Sequence, residues 1–280
     1  MISIVIPVYN RIEALKRALA SIAAQTYKDV EVIIVDDGSA ERLKIEDLRL
    51  SRRKVRDPAL SSGKISVPVK LIRQENKGAP AARNRGLAEA KGEYVIFWDG
   101  DVIGEPQMLE KLKKALDENL EASYAYCSHR SYVIGHMTKK LPACDFNITK
   151  LRENNYIHST TLIRRRDAIQ WDESIKRFQD WDLWLMMSEI GKTGVWVNEY
   201  LFTVLGGGTI SKWLPRIAYK APFKWLPFVN KSVSQYEEAR KIILQKHKIN
   251  PSLRGSAVEA LTKQSKSSDN EIASSLRSSQ

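Results

Sequence analysis

The sequence predicts an α/β protein with a mostly parallel, Rossmann-like central sheet flanked by helices. Three observations lead there. Residues 2–8 (Ile-Ser-Ile-Val-Ile-Pro-Val) and 30–35 (Val-Glu-Val-Ile-Ile-Val) are apolar and β-branched, as strands buried in parallel sheets are. Between them Ile12, Leu15, Leu19 and Ile22 recur at helical spacing, so the segment reads as a β-α-β unit with a right-handed crossover. A further apolar run, Tyr94–Trp98, ends in two carboxylates, at the strand end where open α/β sheets bind ligands.

Pro7 lacks a ladder donor, so the first strand is expected to stop there. Asn10 is expected to cap a helix over residues 11–25. The second strand runs into Asp36-Asp37-Gly38-Ser39, bringing Tyr9 and the Asp36–Asp37 pair to one sheet edge. Residues 40–66 are polar and basic and read as a mobile loop with a short helix at 41–50. A strand at 67–72 leads to Asn76–Gly86, a small, polar stretch opening a helix through Ala90. Exposed amides there, together with Arg83, suit a phosphate; tight helix–sheet packing is the alternative reason for the small residues.

The stretch Phe97-Trp98-Asp99-Gly100-Asp101 carries the clearest chemistry. Two carboxylates separated by a glycine can share a hard cation, Mg²⁺ or Mn²⁺, with phosphates; a surface Asp-Gly turn is the plain alternative. Residues 106–119 form an amphipathic helix with Leu109, Leu112 and Leu116 inward. Strand-like runs follow at 122–127 and 156–163, around an irregular region with His129, His136 and Cys144 that lacks metal-ligand spacing. A helix then opens at Gln179-Asp180-Trp181-Asp182-Leu183-Trp184, where acids also complement the helix N-terminus. Residues 195–204 read as late strands and Gly206–Gly208 as a hinge.

At 280 residues with 43% hydrophobic content, the chain has enough material for one large domain or two small ones. The two cysteines, Cys127 and Cys144, are too few for a disulfide framework and suit reduced thiols. No charged and apolar leader is evident and no apolar run reaches about 18 residues, so a cytoplasmic protein is expected. Residues 211–280 hold 13 Lys and Arg against 5 Asp and Glu, which is +8 of the net +12. Residues 212–228 interleave Lys and Arg with Trp and Phe, and 231–247 form a basic amphipathic helix. They suit either an anionic membrane surface or packing on the domain. Beyond 250 the Ser- and Lys-rich chain is expected to be flexible. The high pI alone prompts nucleic-acid binding, but no nucleic-acid module is present.

The ordered set Ser3–Asn10, Val35–Ser39, Asn76–Gly78 with Ala82–Gly86, Asp99–Asp101 and Gln179–Trp184 resembles family 2 glycosyltransferases of the GT-A fold, over roughly residues 1–211. The resemblance implies a nucleotide-sugar-binding half (1–103), an acceptor-side half (104–211), a C-terminal extension (212–250) and a flexible tail (251–280). It implies inverting transfer of a sugar from a nucleoside-diphosphate sugar to an acceptor hydroxyl on a glycan or lipid-linked acceptor, in cell-surface polysaccharide or glycolipid synthesis. Asp101 would be the main ligand of a divalent metal, Mg²⁺ or Mn²⁺, and Asp99 would hold the ribose or act through metal-bound water. Pro7, Tyr9 and Asp37 would frame the nucleobase; Asp37 accepting from a base N–H favours uracil or thymine. Arg83 would bind the nucleotide sugar and Asp180 would be the general base, with Asp36, Asn84 and Asp182 in support. Asp182 is also the fallback base. Gln179 stands where relatives often have Glu, and Phe202–Leu205 lacks the Arg and His that many relatives carry before the Gly/Ser stretch; the Gly206–Ser211 loop would then act as a lid through its backbone. Two other readings remain: a non-catalytic sugar-nucleotide or glycan-binding relative, and a sugar nucleotidyltransferase. Pro7-Val8-Tyr9-Asn10, standing where the latter carries a glycine-rich phosphate loop, argues against it.

Overall fold

The computed structural model describes residues 1–48, 67–132, 138–205 and 227–250. Among the described residues nine strands form one mixed sheet: β1 (Ile2–Val8), β2 (Val30–Asp36), β3 (Val69–Arg73), β4 (Tyr94–Phe97), β5 (Val102–Gly104), β6 (Tyr124–Tyr132), β7 (Thr138–Leu141), β8 (Leu162–Arg164) and β9 (Gly194–Val204). The spatial order is β3-β2-β1-β4-β8-β6-β9-β5, with β7 paired to β6. The β3-β2-β1-β4 half is parallel throughout. From β8 onward only β6 and β9 run parallel, and the other pairings are antiparallel.

Side-chain alternation along β1 explains the two-sided burial. Ile2, Ile4 and Ile6 pack on one face with Leu15, Leu19 and Ile22 of α1 (Ile12–Ala23). Val5 packs on the other with Ile33, Val35, Val95 and Phe97, on the side of α2 (Ala79–Glu89). α3 (Met108–Glu118) joins the first face through Leu109, Leu112 and Leu116; α4 (Ile148–Glu153), α5 (Gln179–Glu189) and α6 (Pro227–Lys246) serve the second. Gly86 is required at the α2–β1 contact, because a Cβ there would lie 2.2 Å from Val5 Cγ1.

Several expectations are corrected. β1 continues past Pro7 to Val8. Trp98 N–H donates to Val5 O, so odd residues of β1 direct their backbone groups toward β4, and β4 has ended by the level of Pro7. The missing Pro7 donor therefore faces no partner strand. Asn10 does not cap α1; it sits at φ 52°, and its Oδ1 accepts the Ala40 N–H (2.8 Å) while its own N–H donates to Ser39 Oγ (2.9 Å). The cap position is Arg11. Of the run 156–163 only its end enters a strand; residues 156–161 form a loop whose polar Ser159, Thr160 and Thr161 are buried. Near residue 45 a single 3₁₀ turn spans Ile45–Leu48.

The C-terminal helix packs on the domain. Ile243, Leu244 and Ile249 are buried in the second cluster, Val233 is buried too, and the Tyr236 ring meets Phe178 edge-on at 5.0 Å. Among the described residues no helix is long and apolar enough to cross a membrane. Most of the expected loop at 40–66, the Gly206–Ser211 lid, the aromatic segment 212–226 and the tail 251–280 lie outside the described residues.

Candidate active site

The C-terminal ends of β1, β2 and β4 meet at one edge of the parallel half. Pro7 lies near the end of β1 with the exposed Tyr9 just beyond it, and Asp36 ends β2 with Asp37 following. Asp36 is buried and structural in its contacts: it pairs with Arg73 Nη1 (2.9 Å) and accepts the Ser39 N–H (2.9 Å). Asp37 accepts from Gln74 Nε2 (2.8 Å) and the Lys77 and Gly78 amides (2.9 Å each). An ionised carboxylate has about four acceptor positions, so one on Oδ2 is left for a ligand N–H.

Arg83 is the hub of the next layer. It is buried, its guanidinium lies 4.4 Å from the centroid of the Trp171 ring, and it donates to Asp99 Oδ1 (2.8 Å) and Gln179 Oε1 (3.0 Å). Gln179 thus links the start of α5 to the end of β4. Asn84 holds the Trp171 backbone through both its N–H (2.8 Å) and its carbonyl (2.9 Å), which supports that ring without reaching the acids. Asp99 accepts a further bond from Ser159 Oγ (2.8 Å). Burial is the largest influence on its carboxyl and acts to raise its pKa. The charges of Arg83 and His158, with the Arg83 and Ser159 hydrogen bonds, outweigh burial and hold the pKa below the usual range. Asp101 behaves oppositely. Its Oδ2 pairs with Arg11 (3.1 Å), yet burial first and the neighbouring Asp99 charge second push its pKa up.

Asp180 lies in the first turn of α5, whose cap residue Phe178 takes a left-handed φ of 59°. Its Oδ1 accepts the adjacent Trp181 N–H (2.9 Å), and Oδ2 has no hydrogen-bond partner among the described residues. Burial raises its pKa, against lowering by His158, the Trp181 amide and Arg83. Asp182 is not brought to this group. It is 1% exposed and faces α6, held by Lys246 Nζ (2.9 Å) and His247 Nε2 (2.8 Å). Two residues apart on a helix is about 200° of rotation, so Asp180 and Asp182 serve different faces. Its expected part in supporting the site becomes a part in anchoring α6. His158, which carried no sequence signal as a lone histidine, does belong here: it influences Asp99, Asp101 and Asp180 together.

The family model for glycosyl transferase family 2 matches residues 3–170, more than half of the chain. The chain belongs to that family. This family 2 domain is 30% identical over 223 residues to the amylovoran biosynthesis glycosyltransferase AmsB of Erwinia amylovora, covering 71% of this chain and 67% of AmsB. It spans between 19% and 38% of the length of the first curated relatives it matches. Two solved structures share its GT-A fold. TarS of S. aureus in complex with UDP-GlcNAc superposes with a TM-score of 0.59 at 19% identity, covering 76% of this chain and 61% of TarS. The mannosyltransferase PcManGT of Pyrobaculum calidifontis in complex with GDP-Man and Mn²⁺ gives 0.55 at 17% identity, covering 94% and 79%.

A metal held here would have to take most of its ligands from outside the protein. Among the described residues no three His, Cys, Asp or Glu side chains are grouped to hold an ion alone. Asp101 Oδ1 has no partner among those residues, and its carboxyl sits beside a second, ionised one at Asp99. A divalent cation completed by phosphate and water oxygens would relieve that like-charge pairing.

Proposed function

We propose that the chain is an inverting glycosyltransferase that takes a sugar from a nucleoside-diphosphate sugar, with a UDP- or dTDP-sugar favoured, to an acceptor hydroxyl of a cell-surface polysaccharide or glycolipid intermediate. The observation that carries the reading is Asp180. It is a carboxylate with one oxygen fixed by its own helix, the other unengaged and its pKa raised by burial, and it follows Gln179, which shares Arg83 with Asp99. A single displacement needs such a base. The acceptor oxygen bonds to the anomeric carbon as the carbon–oxygen bond to the diphosphate breaks, and the acceptor proton passes to Asp180 Oδ2.

Asp37 accepts the base N–H of uracil or thymine at its remaining position, with Pro7 and Tyr9 lining the base. Asp99, fixed by Arg83 and Ser159, accepts from the ribose hydroxyls. Asp101 would hold Mg²⁺ or Mn²⁺, which when bound neutralises charge on the departing diphosphate. Arg11 and Arg83 place two guanidinium charges beside Asp101 and Asp99. The UDP-GlcNAc and GDP-Man bound by the two fold neighbours support a nucleotide-sugar ligand, and the Mn²⁺ of PcManGT supports the metal.

Thermal-shift screening against UDP, dTDP, GDP, CDP and ADP, each with and without Mn²⁺, tests the reading. A ligand bound only by the folded protein raises the melting temperature with concentration. The expected result is Mn²⁺-dependent stabilisation by UDP or dTDP. Indifference of the folded protein to every nucleotide would point to a non-catalytic relative.

A further inference from the structure

The acids of this site create a chemical imbalance. Asp99, Asp101 and Asp180 are all hydrogen-bond acceptors when ionised, whereas a sugar lying between them also presents ring and hydroxyl oxygens that need donors. Arg83 gives Nη1 to Gln179 and Nη2 to Asp99, its Nε is buried without a partner, and Arg11 pairs with Asp101. His158 immediately precedes Ser159, which donates to Asp99 Oδ2 at 2.8 Å, so its ring stands at the same strand end.

Its geometry is fixed by the loop that precedes β8. Nδ1 accepts the Thr160 backbone N–H at 3.0 Å, and a backbone amide can only donate, so in the neutral ring the proton sits on Nε2. The ring is wedged against Phe202 (5.0 Å between centroids) and His129 (4.9 Å), and His129 itself stacks flat on Phe202. Burial takes the His129 pKa down to about 3, so the platform beneath His158 is uncharged near neutrality. The next residue, Ser159, donates to Asp99, and Thr161 Oγ1 donates to His158 O (2.7 Å), which ties this backbone to the acidic strand end. His158 Nε2 has no hydrogen-bond partner among the described residues.

We infer that His158 is a sugar-binding residue: its Nε2–H donates to an oxygen of the sugar being transferred, beside the Asp99 end of β4. This rests on the glycosyltransferase reading above. It assigns to residue 158 a contact with the sugar that the nucleotide portion does not make, so the two parts of the ligand report on different residues.

The test is calorimetry of the full chain in Mn²⁺ with UDP, UDP-glucose, UDP-galactose, UDP-GlcNAc, GDP and GDP-mannose, on wild type, His158→Asn and His158→Gln. Asn keeps an acceptor near the Nδ1 position but has no donor at the ε position; Gln restores an amide donor there. For the sugar nucleotide that wild type prefers, His158→Asn is expected to weaken binding tenfold or more. The matching nucleoside diphosphate should stay within twofold, and His158→Gln should recover part of the loss. Equal weakening of sugar nucleotide and diphosphate, or no weakening of either, overturns the assignment in favour of a purely structural histidine. Absence of any nucleotide binding by wild type overturns the glycosyltransferase reading and this inference with it, an outcome separable from the others because no variant is needed to see it.

Discussion

Asp182→Asn probes the tie between α5 and the C-terminal helix. Asp182 and Glu189 are seven residues apart, so they share one face of α5, and His247 of the turn after α6 bridges them at 2.8 Å to each. Lys246 adds bonds to Asp182 (2.9 Å) and Asp172 (2.7 Å). The substitution keeps volume and removes the charge that both cations share. A hydrogen bond to a charged group is worth about 1.5–3 kcal/mol, and two are weakened. Each cation keeps its second carboxylate, so the loss should be about 3 kcal/mol, at the low end of the roughly 3–5 kcal/mol of a fully orphaned buried charge. For a chain of this size that is a fall of about 6–12 °C in melting temperature.

The pH dependence carries a second signature of the same cluster. Burial is the largest influence on His247 and acts to lower its pKa, but the hydrogen bonds and charges of Asp182 and Glu189 outweigh it and the pKa is raised above 6.5. A raised histidine contributes stability that is complete below the unfolded value and is lost as pH rises through the folded one. Melting curves of wild type across pH 6 to 9 should therefore decline over that window, and those of Asp182→Asn should decline less. A variant as stable as wild type to within 0.5 kcal/mol, or one with an unchanged pH profile, would refute the account of this cluster as an ionic tie.

Other expectations concern the site itself. Asp180→Asn should lower turnover by a thousandfold or more while the diphosphate affinity measured by calorimetry stays near that of wild type. Because burial raises the Asp180 pKa and the base must be ionised, kcat should fall as pH drops through a value above the ordinary 3.8. Asp101→Ala should remove the Mn²⁺ dependence of nucleotide binding, read from thermal shifts with and without the metal. Gly86→Ala would set a methyl against Val5 and should cost about 1–3 kcal/mol, and by displacing α2 it should also weaken nucleotide binding through Arg83.

The parallel half of the sheet was legible because each of its strands is a nearly unbroken apolar run. Its chemistry stands at the run ends, so Asp37, Asp99 and Asp101 could be placed by sequence position alone. β5, β7 and β8 have three or four residues each, too short for period-2 alternation to register. The Asn10 cap failed because the sequence shows an oxygen of the right type but not that the Ala40 amide lies closer to it than the helix does. At the C-terminus a count of charges likewise does not show which of them are paired. Lys246 counts toward a basic tail, yet its nearest charges are Asp172 and Asp182 of the same molecule.

His158 and Asp182 mark the two ways in which the site depends on closure of the whole fold. β8 pairs antiparallel with β4, and that pairing sets the loop before β8 beside the end of β4, where Ser159 meets Asp99; nothing local to residues 156–161 specifies it. For α5 the reverse holds. The i, i+2 spacing of Asp180 and Asp182 already forbids both from facing one ligand, since about 200° separates them. What the fold adds is the choice: Lys246 and His247 claim Asp182, and Gln179 binds Arg83 beside Asp180. If Asp182 were the base, Asp182→Asn would abolish turnover at temperatures where the variant is fully folded and leave Asp180→Asn active. The geometry argues for the opposite ranking, with Asp182→Asn losing stability before it loses catalysis.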